Sequence, residues 1–294
     1  MKILPRSGDL HIWIFLPLPI FGNGFIMVLR IKICLLICLG AVANNHAQHV
    51  PPVPIYGKGI NHPFSWVVNP AELGNESGLS AAIFTQHNIQ IPEIRQYFLS
   101  GRTPLSSGGI GLEAGSYGNE TYHEWMAGIG YGLNIGNASI GIKMNYTGIT
   151  IPGFQSQQTY LLKFGSLIAL SRTLKAAAVM GVQKTSLYST DLQNAPFFEY
   201  EFGLGYQPSS KFLLSMQAGT IDTRFYSKVM LNYYFHPSFS ALLAFETNAA
   251  ILAVNAGWHL KQFSIHISCR VEPHTGFSPG IIFCYQPELL AGEK

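Results

Sequence analysis

From Thr121 to Phe283 the chain repeats one pattern, runs of roughly ten residues in which apolar side chains alternate with polar ones or glycine, each run closed by a short polar turn. Successive strand side chains point to opposite faces, so every such run has one apolar and one polar face. Between residues 138 and 149 the apolar face is Ala138, Ile140, Ile142, Met144 and Tyr146, set against Ser139, Gly141, Lys143, Asn145 and Thr147. Between 197 and 206 it is Phe198, Tyr200, Phe202, Leu204 and Tyr206 against Glu199, Glu201, Gly203 and Gly205, with Phe197 alone out of step. The runs from Phe225 and from Lys261 behave likewise. A closed β-barrel in a lipid bilayer needs this signal, and few water-soluble folds sustain it so long.

A soluble β-sandwich also buries one face of each strand and wets the other, so alternation alone does not separate the two. Composition does. Charged residues make up 11% of the chain, where a soluble domain carries about 25%, while aromatics reach 13% and glycines number 30. Much of the outer surface is therefore expected to face lipid. The fold class is all-β, a transmembrane antiparallel β-barrel of about fourteen strands over residues 78–287, an even number as bacterial barrels require. Residues 288–294 are left as a tail. A formal charge of +3 with no basic run gives no footprint for nucleic acid.

The N-terminal region 1–47 carries the marks of export. Arg30 and Lys32 precede an apolar run from Ile33 that ends in Ala41-Val42-Ala43, with a second candidate cleavage point after Ala47. Met27 would start a signal of ordinary proportions, whereas Pro17, Pro19, Gly22 and Gly24 make the preceding apolar stretch a poor helix. Sec export, cleavage and a start at Met27 are the expectation. Cys34 and Cys38 leave with the signal, and Ile37 before Cys38 does not suit a lipoprotein anchor. Cys269 and Cys284 are expected on the lipid side of neighbouring late strands, as small apolar residues and not a bridge.

Residues 48–77, rich in Pro, Asn and Gly, show no strand alternation and suggest a plug or periplasmic segment. Within it Val68-Asn69-Pro70-Ala71-Glu72-Leu73-Gly74 is a helix start. Asn69 can cap, Pro70 suits the first helical position, Glu72 completes a capping box, Val68 and Leu73 form a staple, and Gly74 can end the turn. An Asn-Pro-Ala motif after a signal and before an all-strand chain resembles the FadL and PorV superfamily of outer-membrane barrels. The hairpin from Glu124 to Tyr146 is similar to those of its PorV and PorQ branch. The resemblance covers residues 60 to 287 and implies fourteen strands, a lumenal plug carrying Asn69, Pro70, Ala71 and Glu72, and the outer membrane of a Bacteroidota-like organism. It implies as partners outer-membrane lipid and secretion-system proteins, with a PorV/PorQ-like accessory role in type IX secretion or surface attachment. The alternative is a FadL-like channel for diffusion of hydrophobic small molecules, with a small hydrophobic ligand. On that alternative Gly108, Gly109, Gly111 and Gly115 mark a third strand that could kink and open a lateral path.

The polar faces place Lys143, Lys163, Lys175, Lys211, Lys228 and Arg270 inside the barrel with Glu124, Glu199, Glu201 and Glu246. They either pair across strands and fill the lumen or line it for anions, and the interleaving of signs favours pairing. Tyr146, Tyr200, Tyr206, Tyr233, Tyr234 and Trp258 are expected in the interfacial girdles. Catalytic and metal residues and cofactors are expected to be none. Gly109-Ile110-Gly111-Leu112-Glu113-Ala114 fits a dinucleotide fingerprint, but no βαβ unit follows. His266, between Ser264 and Ser268 on a polar face, has no acidic neighbour and is expected as a hydrogen-bonded wall residue.

Overall fold

The computed structural model describes residues 62–75, 78–154, 156–186, 196–221, 224–247, 250–273 and 275–287. The expected start, cleavage sites, C-terminal tail and most of segment 48–77 lie outside these residues.

Two short helical turns come first, α1 (Ser65–Val68) and a 3-10 turn (Pro70–Asn75). Fourteen strands follow: β1 Ser80–His87, β2 Arg95–Leu105, β3 Gly108–Gly118, β4 His123–Ile135, β5 Ala138–Thr150, β6 Gln157–Ala169 and β7 Leu174–Ser186, then β8 Phe197–Ser209, β9 Phe212–Ile221, β10 Arg224–His236, β11 Phe239–Glu246, β12 Ile251–Leu260, β13 Phe263–Glu272 and β14 Gly276–Tyr285. Every strand is antiparallel to its sequence neighbours, and β1 pairs with both β2 and β14, which closes the barrel and leaves no edge. This is the expected fold.

Closure follows from the alternation. Ile140, Ile142, Met144, Tyr200, Phe202, Leu204, Phe263 and Ile267 are exposed on the outside, while Ser139, Lys143, Asn145, Glu201, Ser264 and Ser268 are buried within. Such an apolar outer band is stable only against lipid. The barrel has a near end, where the chain enters β1 and leaves β14, and a far end. Near-end connections are tight, including the two-residue turn Gly136–Asn137, where Gly136 takes φ +67° with open space around it. Short turns mark the periplasmic end of such barrels.

Three register expectations need correction. Cys284 faces the lumen, 1% exposed, while Cys269 faces outward. Ile281, Ile282, Phe283, Cys284 and Tyr285 are all apolar, so the sequence shows no alternation there, and the lumen at this level holds an apolar cluster of Phe64, Trp66, Phe84, Phe98, Ile282 and Cys284. Tyr234 also points inward, its ring 5.4 Å from that of His259. Tyr200, Tyr206, Tyr233 and Trp258 do lie on the outer surface. Lys211 is exposed in the tight turn between β8 and β9 and is not a lumen residue.

Candidate functional site: a seated plug and the chamber above it

Residues 62–75 lie within the barrel, where the 3-10 turn packs against β3–β6 and Phe64 and Trp66 join an apolar cluster with β1, β2 and β14. Asn69 caps the 3-10 turn, its Oδ1 accepting from the Ala71 amide at 3.0 Å, while its Nδ2 donates to the Ser166 carbonyl on β6 at 3.2 Å. The capping box is not completed. The Asn69 amide donates to Ser65 O at 3.0 Å instead, so the end of α1 takes the donor that Glu72 was expected to reach. Glu72 is buried with its Oε1 lacking a hydrogen-bond partner, and burial raises its carboxyl pKa above the ordinary value against the lowering influence of Lys175 and Arg102. The 3-10 turn runs through Gly74 to Asn75, and α1 was not anticipated because a single turn gives no periodicity to read.

The wall receives this segment on glycines. A Cβ on Gly111 would meet the Trp66 ring at 2.6 Å, and one on Gly130 would meet the same ring at 2.8 Å. Gly132 faces Gly74 N and Leu73 Cβ at 2.7 Å, Gly109 faces the Leu73 carbonyl, and Gly141 and Gly165 face Pro70. Strand glycine marks close approach of another backbone, and here that backbone is the plug. Gly108 lies against the Gly132 carbonyl and Gly115 against Phe98 and Met126. The four β3 glycines therefore belong to a strand paired without register shift over its whole length with both β2 and β4. Pairing is unbroken along β3, so the ladder itself shows no gap there.

Polar contacts fasten the plug. Trp66 Nε1 donates to Ser100 Oγ at 2.9 Å, and Ser100 Oγ donates to Pro63 O at 2.9 Å. Arg102 donates from Nε to Ser80 Oγ at 2.7 Å and from Nη1 to Ser65 Oγ at 3.1 Å. Lys143 Nζ donates to the Val67 carbonyl at 2.6 Å and pairs with Glu113 at 2.9 Å, both side chains buried. Asn145 also bonds Glu113. Glu113, Trp66, Ser100 and Arg102 escaped the sequence reading. A charged residue among the glycines of β3 was the available signal for Glu113.

Above the plug, toward the far end, lies a chamber of about 820 Å³ floored by Val67 and Val68. Met126, Leu161, Val179 and Tyr226 give it apolar wall, and Lys143, Asn145, Thr159, Lys163, Glu199 and Glu201 give it polar wall. Its charges are paired or bonded. Lys163 lies 2.6 Å from Glu199, and Tyr226 donates to Glu201. Arg270 pairs with Glu272 at 2.6 Å near the far rim, and Lys228 and Glu246 are buried on neighbouring strands at opposed positions. Below the plug a second space of about 340 Å³ is lined by Asn75, Ser139, Arg172, Lys175 and Gln207. The plug stands between the two.

These features define a class: a closed fourteen-stranded membrane barrel that carries its own residues 62–75 inside the lumen. The solved structure of the Pseudomonas putida toluene transporter TodX has the same fold, with a TM-score of 0.53 at 9% identity over 83% of this chain and 97% of that one. The Ralstonia pickettii toluene transporter TbuX aligns at 0.48 (9% identity, 76% and 93% covered) and the Acinetobacter baumannii outer membrane protein Omp33 at 0.47 (10% identity, 72% and 99% covered). At such identities the likeness is one of fold. No protein-family model and no curated protein matches the sequence.

Proposed function

We propose that this chain is a bacterial outer-membrane channel that admits small, largely apolar molecules from the far end into the chamber above the plug. The observation that carries the reading is the chamber itself, about 820 Å³ and floored by Val67 and Val68, with Lys143 and Lys163 each held by a carboxylate. A mixed wall of that volume suits one drug-sized or smaller guest. The fold shared with a toluene transporter supports the same class of cargo. Because the strand ladder is continuous around the barrel, onward passage requires either displacement of the plug or parting of strands at β3. The buried polar seat of the plug favours displacement.

Proteoliposomes containing the refolded chain test this. Uptake of a monoaromatic hydrocarbon above that of empty liposomes is expected, and Val179→Trp, which fills the chamber wall, should reduce it. Rapid equilibration of sugars with no such uptake would instead make the barrel a water-filled pore. The type IX accessory role rests on the resemblance of the Asn69 motif and the 124–146 hairpin. Recovery of secretion-machinery proteins with the tagged barrel from native membranes, with no hydrocarbon uptake, would favour it.

A further inference from the structure

At the near side of the plug two imidazoles and one thiol from distant parts of the chain meet. His62 opens the plug, His266 lies on β13 and Cys284 on β14, and all three are buried. One donor atom of each lies within 4.8 Å of the others, and Cys284 Sγ stands 3.5 Å from His62 Nε2. Around an ion bound at about 2.0–2.3 Å such donors stand about 3.3–3.8 Å apart. The His62–Cys284 pair already meets that spacing, and the remaining closure is a side-chain adjustment of about an ångström.

We propose that His62, His266 and Cys284 form a binding site for a thiophilic d10 metal ion that fastens the plug to β13 and β14. Thiolate with imidazole selects Cu⁺ and Zn²⁺, and no carboxylate in the cluster would suit a hard ion. Charge decides between the two. Arg102, held by Ser80 and Ser65, is buried opposite Ser80, two residues along β1 from Ala82, which pairs with Cys284. A Cu⁺ thiolate adds no net charge beside that guanidinium, whereas a Zn²⁺ thiolate adds a buried positive one, so Cu⁺ is the favoured ion.

The surroundings supply support for the ligands. Ser264 Oγ bonds His266 Nε2 at 3.0 Å, and the His259 ring packs edge-on to that of His266 at 5.3 Å. His62 Nδ1 accepts from the Phe64 amide at 3.3 Å, which places the imidazole proton on Nε2. Coordination through Nε2 shifts that proton to Nδ1 at the expense of this long hydrogen bond, and the Cys284 thiol proton goes to solvent. Neither step needs a redox partner.

The test loads the refolded full chain with Cu⁺ under reductant, or with Zn²⁺, against a competing chelator, and measures retained metal and its ligands by elemental analysis and X-ray absorption. Stoichiometric Cu⁺ with sulfur and nitrogen ligands is expected in the wild type and in Cys269→Ser, and loss in Cys284→Ser and His266→Gln. Cys284→Ala, which leaves a small apolar side chain in the wall, guards against misfolding as the cause. Retention of Zn²⁺ alone, lost in the same variants, would overturn the choice of ion. Equal retention in wild type and Cys284→Ser, or retention of neither ion, would overturn the site.

Discussion

The Asn69 amide occupies the space that a side chain at Gly165 would need. One end of that amide caps the plug turn and the other bonds the next residue of the wall, Ser166. Gly165→Val should therefore push the plug off its seat while β6 keeps its pairing with β5 and β7. Overpacking of this kind costs about 1–3 kcal/mol. Limited proteolysis should cut the 62–75 segment faster in the variant with the barrel intact, and an unchanged rate would show that the seat is loose.

Asn69→Ala should act from the other side of the same contact. It removes the cap and the bond to Ser166 together, at about 1–2 kcal/mol. Hydrogen exchange at the Ala71 and Glu72 amides would report it, with protection falling at both and the strands unaffected.

The outer registers of β5, β8, β10 and β13 were legible because lipid demands apolar side chains at every second position and the lumen accepts polar ones. Where the lumen is itself apolar, that contrast disappears, so Cys284 and Tyr234 were placed on the wrong face. Asn69 was legible as a cap because its bond to Ala71 is local. Its bond to Ser166, the Trp66 seat on Gly111 and Gly130, and the meeting of His62 with Cys284 join distant segments, and no spacing along the chain encodes them. The β3 glycines were visible, but two accounts of them were available, a gap in the wall or a seat for another backbone. Only the position of Leu73 and Trp66 distinguishes the two.

Lys143→Met should be strongly destabilising, by about 3–5 kcal/mol, because it strands the Glu113 carboxylate in the wall as well as freeing the Val67 carbonyl. Lys143→Met with Glu113→Leu removes both charges and should recover most of that loss. Denaturant unfolding of the refolded barrel would compare the two, and a double variant no better than the single one would mean that the plug contact, not the ion pair, dominates.

Glu72 gives plug docking a pH dependence. Its pKa in the docked plug is raised, chiefly by burial, so the docked state binds the proton more tightly than the undocked one. Docking is then fully supported below the usual glutamate value of about 4.3 and loses that contribution as pH rises through the elevated value. Relative to Glu72→Gln, the wild type should lose plug-amide protection across that range, the buried His62, whose pKa is lowered by burial, acting in the opposite sense in both. A parallel decline in both would assign the effect to another group.

If cargo leaves the chamber by displacing the plug, tethering the plug must stop transport. Asn75 Nδ2 donates to Ser139 Oγ at 3.1 Å at the near end, so Asn75→Cys with Ser139→Cys brings two thiols to neighbouring positions for an oxidative cross-link. In a Cys269→Ser background the oxidised pair should bind hydrocarbon in the chamber yet release none into the liposome, and reduction should restore uptake in the same sample. Undiminished uptake by the oxidised protein would move the exit to the wall. The β3 glycines would then be the place to look, because Gly108, Gly109, Gly111 and Gly115 present no side chain to hold that strand against its neighbours.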